Sequence, residues 1–231
     1  MSVSPGGERS FLTDRGVADS LSASMLRPGW LSRVDALHVP FYSFMAEPLS
    51  SAALAAIASV RGRSVGSRSV SSRSVSSRSV SARPVVSIDL ASRGPLVALG
   101  RRRVLEFLRA AAPDVLLAND DELTAIGSPS PGALAKLAPI SVIKQGSSGC
   151  RVVWRTSDGS VGQSMVATRR VVASDTTGAG DAFDAGFLHA LLLGGYLPAM
   201  KVDAALLRRA ALSGHRSAAR LLTSPRKELP L

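Results

Sequence analysis

Apolar positions in this chain gather into short dense runs, and the stretches between them carry apolar residues at helical spacing. ALHVPFYSF (36–44) reads as a strand running into a loop, VVSIDLAS (85–92) as a compact buried strand ending in an Asp, and DVLLAND (114–120) as another strand. ISVIKQG (140–146) and CRVVWR (150–155) are strands on either side of a GSSG turn. Between and after them, PLSSAALAAIASV (48–60) predicts an Ala-rich helix. RRRVLEFLRAAAP (101–113) is helical through Val104, Phe107 and Leu108 until Pro113 stops it. DELTAIG (121–127) opens a short helix, a longer one runs from about Gly178 to Leu193, and a last one covers roughly Asp203 to Leu222. Residues 1–16 read as a hairpin around a PGGE turn. Strands alternating with helices predict a single α/β domain over 1–231, with a mainly parallel sheet covered on both faces.

The periodicity fails at RGRSVGSRSVSSRSVSSRSVSAR (61–83), a five-residue repeat close to RSVSS. A period of five matches neither strand nor helix, so no face is consistently apolar and the segment is expected to be disordered. Two readings stand: an Arg-Ser tract that binds anionic surfaces or is phosphorylated, and a repeat expansion in a tolerant surface connection. The tract changes the meaning of the charge. Six of its residues are Arg, and without them the formal net charge falls from +11 to +5, a mildly basic remainder that argues against nucleic acid as the partner.

With 45% apolar residues, 231 residues can bury a sizeable core. One cysteine, Cys150, excludes an internal disulfide, and His38, His189 and His215 lack metal-ligand spacing. Neither a signal-peptide core nor a membrane-length apolar run is present, which predicts a cytoplasmic chain with no membrane partner.

The candidate chemistry lies in SDTTGAGDAFDAGFLHA (174–190), where Gly178, Gly180 and Asp181 stand at the mouth of a helix. Helix starts offer unpaired N–H groups and partial positive charge, and glycines let an anion approach them. A carboxylate beside a bound phosphate suits phosphoryl transfer, in which a base accepts the proton of the attacking hydroxyl. An ordinary strand-to-helix turn with an acidic cap fits the same four residues. The segment is no P-loop, since GxxxxGK[ST] is absent, and no dinucleotide fingerprint, since Phe183 stands where the last glycine belongs.

DTTGAGDAFDAGFLHAL resembles, without a gap, the C-terminal signature of the PfkB (ribokinase-like) carbohydrate kinases. HVPFYSFMAEPL, VVSIDLASRGPL, LLANDDE and VIKQGSSGC follow the family's order, the third with an NxxE motif at Asn119–Glu122. The resemblance covers nearly all of residues 4–224 outside the Arg-Ser tract. It implies a three-layer α/β/α sandwich and an ATP-dependent kinase acting on a hydroxyl of a sugar or related small molecule. By the resemblance Asp181 is the catalytic base, and Gly178, Ala179 and Gly180 form the anion hole. Asn119, Lys144, Gly146, Ser147, Gly149 and Gly180 border the nucleotide. Glu122 acts on Mg²⁺ through water, and Asp175 lies where some members hold a monovalent cation. His215 and Cys150 read as packing residues.

Family members begin with a strand, a substrate-binding Asp and a Gly-Gly motif, followed by lid strands, and SPGGERSFLTDRG has no such segment before it; Gly6-Gly7 belongs to the hairpin turn. The chain thus resembles a PfkB kinase lacking its N-terminal substrate and lid portion. That leaves two expectations: a sugar kinase, completed by a missing segment or by another chain and with a homodimer or complementing chain as partner, and a non-catalytic remnant that binds nucleotide or a partner and carries a basic Arg-Ser loop.

Overall fold

The computed structural model describes residues 2–3, 9–10, 15–27, 29–62, 83–173, 175–198 and 200–224. Strands β1 (Ser2–Val3) and β2 (Arg9–Ser10) pair antiparallel, with Ser2 opposite Ser10, as the predicted hairpin requires. The body is a six-stranded sheet of β3 (Ala36–Pro40), β4 (Val85–Asp89), β5 (Val115–Asn119), β6 (Ile140–Lys144), β7 (Cys150–Arg155) and β8 (Val161–Val166), neighbours in that same order. β3 to β6 are parallel, whereas β7 and β8 fold back antiparallel.

Helices α1 (Leu49–Arg61), α2 (Arg93–Leu99), α3 (Arg101–Ala111), α4 (Asp120–Ala125), α5 (Pro131–Leu137), α6 (Ala179–Leu193) and α7 (Ala204–Thr223) complete the fold. Every residue of β4, and all but the last of β5 and β6, is buried, which is why those strands read as continuous apolar runs. Alternate residues go to opposite layers. Val86, Ile88, Leu116, Ala118 and Ile143 pack with α1, α3, α4 and α5, and Phe41, Phe44 and Phe107 form an aromatic cluster there, with ring centroids 5.4–6.5 Å apart. Val85, Val115, Leu117, Ile140 and Val142 pack with α6 and α7 on the other face. The predicted three-layer α/β/α sandwich with a mainly parallel sheet is the observed fold.

α6 and α7 cross at close range because each carries a glycine at the contact. A Cβ on Gly186 would stand 2.8 Å from the Ser213 carbonyl, and one on Gly214 2.9 Å from that of Phe183.

The hydrophobic pattern does not predict α2, α5 or β8. α2 contains Gly94 and Pro95, which read as breakers but sit in the first turn, where a missing N–H costs nothing. α5 starts likewise on Pro131, with the Ser130 hydroxyl accepting from Ala133 N at 3.3 Å. β8 is largely exposed, so its sequence VGQSMV carries little apolar signal.

Of the Arg-Ser tract, residues 63–82 lie outside the described residues. Its expected bounds were too wide. Arg61 is the last residue of α1, and Arg83 leads into β4 while donating to both oxygens of buried Asp114 at 2.7 Å. By composition alone an Arg in that register is indistinguishable from the repeat itself.

Candidate active site

Parallel strands present their C-terminal ends along one edge of the sheet, where ligands of open α/β folds bind. Here Pro40, Asp89, Asn119 and Lys144 are the last residues of four successive strands, with Pro40 opposite Asp89 and Asn119 opposite Lys144. The first turn of α6 reaches the same edge. A cavity of about 760 Å³ opens between them, and Asn119, Glu122, Lys144, Gly146, Ser147, Gly149, Gly178, Ala179, Gly180 and Asp181 all line it.

α6 begins at Gly178, whose φ of +77° is a left-handed turn that a glycine makes without strain. No side chain caps this helix. The Ala179 amide closes the turn on the Thr176 carbonyl at 3.2 Å, so the next amides, those of Gly180 and Asp181, carry the helix's anion-binding character. Asp181 is exposed in this first turn. Asp175, by contrast, does not line the cavity; it shapes the loop behind it, accepting from Thr177 N at 2.8 Å.

Asn119 and Glu122 form a capping box at the start of α4. Asn119 Oδ1 accepts from Glu122 N at 2.8 Å, while the Glu122 carboxylate accepts from Asn119 N at 2.8 Å and Asn119 Nδ2 at 2.9 Å. Glu122 is therefore both the helix-start carboxylate that the sequence allows and a wall of the cavity. It is only 3% exposed, and burial, followed by the nearby Asp89 carboxylate, pushes it up to about 7.

Sequence reasoning missed Asp89 and Asp184 as site residues. Lys144 Nζ donates to Asp89 Oδ1 at 3.0 Å and to the two oxygens of Asp184 at 3.1 and 3.2 Å. Burial works against the ammonium, but the two carboxylates more than offset it and hold Lys144 above its usual value. Burial and Asp89 push Asp184 well above the usual carboxyl value, against the pull of Lys144. The signal for Asp184 was an acid between Phe183 and Phe187 on the buried face of an apolar helix. His215 packs edge-on against Phe183 at 5.0 Å, with Nε2 3.1 Å from the Val166 carbonyl, and also lines the cavity, whereas Cys150 is fully buried.

Among the described residues no group of three or more His, Cys, Asp or Glu is placed to hold a metal ion. A divalent cation here would depend on phosphate oxygens and water, with Glu122 acting through water, which fits a carboxylate already engaged by Asn119. No helix among the described residues is long and apolar enough to cross a membrane.

The fold is shared with solved kinases. A fructokinase from Vibrio cholerae O395, solved with fructose, ADP and calcium, is 24% identical, with a TM-score of 0.62 over 88% of this chain and 59% of its own. An aminoimidazole riboside kinase from Salmonella enterica, in complex with aminoimidazole riboside and an ATP analogue, is 21% identical, with a TM-score of 0.65 over 93% and 64%. The adenosine kinase of Sinorhizobium meliloti is 18% identical, with a TM-score of 0.66 over 88% and 54%. The chain thus spans between about half and two thirds of the length of these structures. No match was found among curated protein sequences. Residues 97–225 match the family description "pfkB family carbohydrate kinase", a span that takes in α3 to α7 and all of the cavity wall except the parts from β3, β4 and the turns that follow them. On that match the chain belongs to the pfkB family of carbohydrate kinases.

Proposed function

We propose that the chain catalyses ATP-dependent phosphoryl transfer to a hydroxyl of a sugar or nucleoside-like small molecule. One observation carries this reading: the exposed Asp181 carboxylate and the uncapped start of α6 stand in one cavity with Asn119, Glu122 and the Gly146–Gly149 turn. Asp181 takes the proton of the attacking hydroxyl as the hydroxyl oxygen bonds to the γ-phosphorus of ATP and the bond from that phosphorus to the β–γ bridging oxygen breaks, with ADP as the leaving group. The amides of Gly180 and Asp181, helped by Gly178 and Ala179 and by the helix dipole, stabilise charge growing on the transferred group. Asn119, Gly146, Ser147 and Gly149 border the nucleotide. Mg²⁺ would neutralise phosphate charge, with Glu122 orienting its water, and Asp175 holds the loop where a monovalent cation would bind. The substrate classes named for the similar structures motivate the panel to be tried.

ADP release is the test, measured with ATP, Mg²⁺ and a panel of sugars and nucleosides beside the Asp181→Asn variant. Acceptor-dependent turnover that falls by about 10²–10⁴-fold in the variant, with ATP still bound, supports the assignment. Turnover that survives the substitution removes Asp181 as base. No turnover together with retained ATP binding favours the reading of a nucleotide-binding remnant.

A further inference from the structure

Beneath the first turn of α6 lies a side-chain cluster that phosphoryl transfer, as derived above, does not use. Lys144 Nζ is 3.0 Å from Asp89 Oδ1 and 3.1 Å from Asp184 Oδ1, and the three side chains are 15%, 7% and 2% exposed. They come from the last residue of β6, the last residue of β4 and α6 itself. An ammonium has three N–H donors, and here three carboxylate oxygens take them. A Cβ on Gly180 would stand 3.5 Å from the same nitrogen, so the ammonium lies directly against the turn that carries Asp181.

A lysine that served the nucleotide directly would keep a donor for the cavity. This one spends its donors inside the protein, on two carboxylates from different elements. Paired charges this deep have little solvent screening, and removing one partner leaves the other charge buried and uncompensated. The cluster therefore resists any movement of the α6 start away from the ends of β4 and β6.

We propose that Lys144 is a positioning residue: with Asp89 and Asp184 it forms an ionic clamp that fixes the first turn of α6, and so Asp181 and the neighbouring amides, against the edge of the sheet. The proposal rests on the kinase reading for its effect on catalysis, and it departs from the expectation that Lys144 contacts the nucleotide. Positioning acts on the step rather than on binding, because a displacement of about 1 Å can cost about 10²-fold in rate.

Three variants and two readouts test it. Lys144→Met removes the donors and fills the space. Lys144→Met/Asp89→Asn removes a buried charge of each sign, so it leaves no new unpaired charge and serves as the folded sample if the single variant does not fold. Lys144→Arg keeps a cation that can reach both carboxylates. The clamp requires kcat to fall by about 10²-fold in the Met variants while calorimetric affinity for Mg·ATP stays within about threefold of the native value, and requires Lys144→Arg to recover most of the loss. Hydrogen exchange on the free protein should show the amides of residues 182–185 opening about tenfold faster in the Met variants, with the C-terminal half of α6 unchanged. A raised Kd or KM for ATP with kcat retained would instead make Lys144 a nucleotide contact and overturn the proposal. Unchanged exchange at 182–185 overturns it as well. If the native chain neither turns over nor binds Mg·ATP, the kinase reading fails by itself, and the exchange measurement still decides the clamp.

Discussion

Placing a methyl group on Gly186 sets two effects of opposite sign against each other. Gly186 is the eighth residue of the fifteen-residue α6, and in a free helix Gly→Ala would stabilise by about 1 kcal/mol. In this fold the new Cβ would stand 2.8 Å from the Ser213 carbonyl and 2.8 Å from Ser217 Cβ, and would collide with the Ser217 hydroxyl. The hydroxyl can rotate away. The backbone carbonyl cannot, so α7 has to move off by several tenths of an ångström along a contact that holds Phe183, Phe187, Leu207 and Ala211. Overpacking of this kind costs about 1–3 kcal/mol. Adding the clash to the propensity gain leaves Gly186→Ala net destabilising by about 1 kcal/mol, with an upper end near 2.

For a chain of this size 1 kcal/mol corresponds to about 2–4 °C in Tm. Urea unfolding and thermal melts of Gly186→Ala should therefore shift down by that amount. Gly132→Ala supplies the control, because it lies in the first turn of α5 and its built Cβ would meet only the Ser130 hydroxyl, at 4.0 Å, and it should be neutral to slightly stabilising. Asp181 lies five residues before Gly186 on α6, so the same shift is expected to lower kcat. The reasoning is refuted if Gly186→Ala melts above the native chain, since the α6–α7 contact would then have room that the glycine pair denies.

Stability should fall as pH rises above the ordinary carboxyl range. Burial and the neighbouring Asp89 hold Asp184 well above its ordinary 3.8, so the stability it leaves intact below that value is lost progressively as pH rises towards its folded value. His38 and His215 are held below 6.5, mainly by desolvation, and their opposing contribution is largely complete by pH 7. Denaturant titrations between about pH 6 and 8 should show stability falling with pH, much less steeply in Asp184→Asn; stability that is flat or rising in the native chain counts against it. Glu122, pushed up to about 7, is partly protonated at neutral pH. Binding of Mg·ATP should therefore release part of a proton at pH 7, read by calorimetry in buffers of different ionisation enthalpy, and Glu122→Gln should abolish that release while leaving binding measurable.

What could be read from the sequence, and what could not, divides along a physical line. β4, β5 and β6 were legible because strands buried on both faces must be apolar at every position, and α3 and α7 because one apolar stripe repeats at helical period. Asp181 and the glycines before it were legible because the chemistry is local: a left-handed Gly178, bare amides and a first-turn carboxylate all fall within four residues. Lys144 could be seen, but its partners could not. Asp89 is 55 positions away and Asp184 is 40, and nothing in either neighbourhood states that β4, β6 and α6 converge at one edge. Only the strand order makes that pairing, by setting β4 and β6 on either side of β5 and bringing α6 across their ends. The same order explains why an acid sits among the phenylalanines of α6: Asp184 faces the core at the one point where a lysine from the sheet reaches it, so a residue that looks misplaced by its periodicity is held in place by its partner.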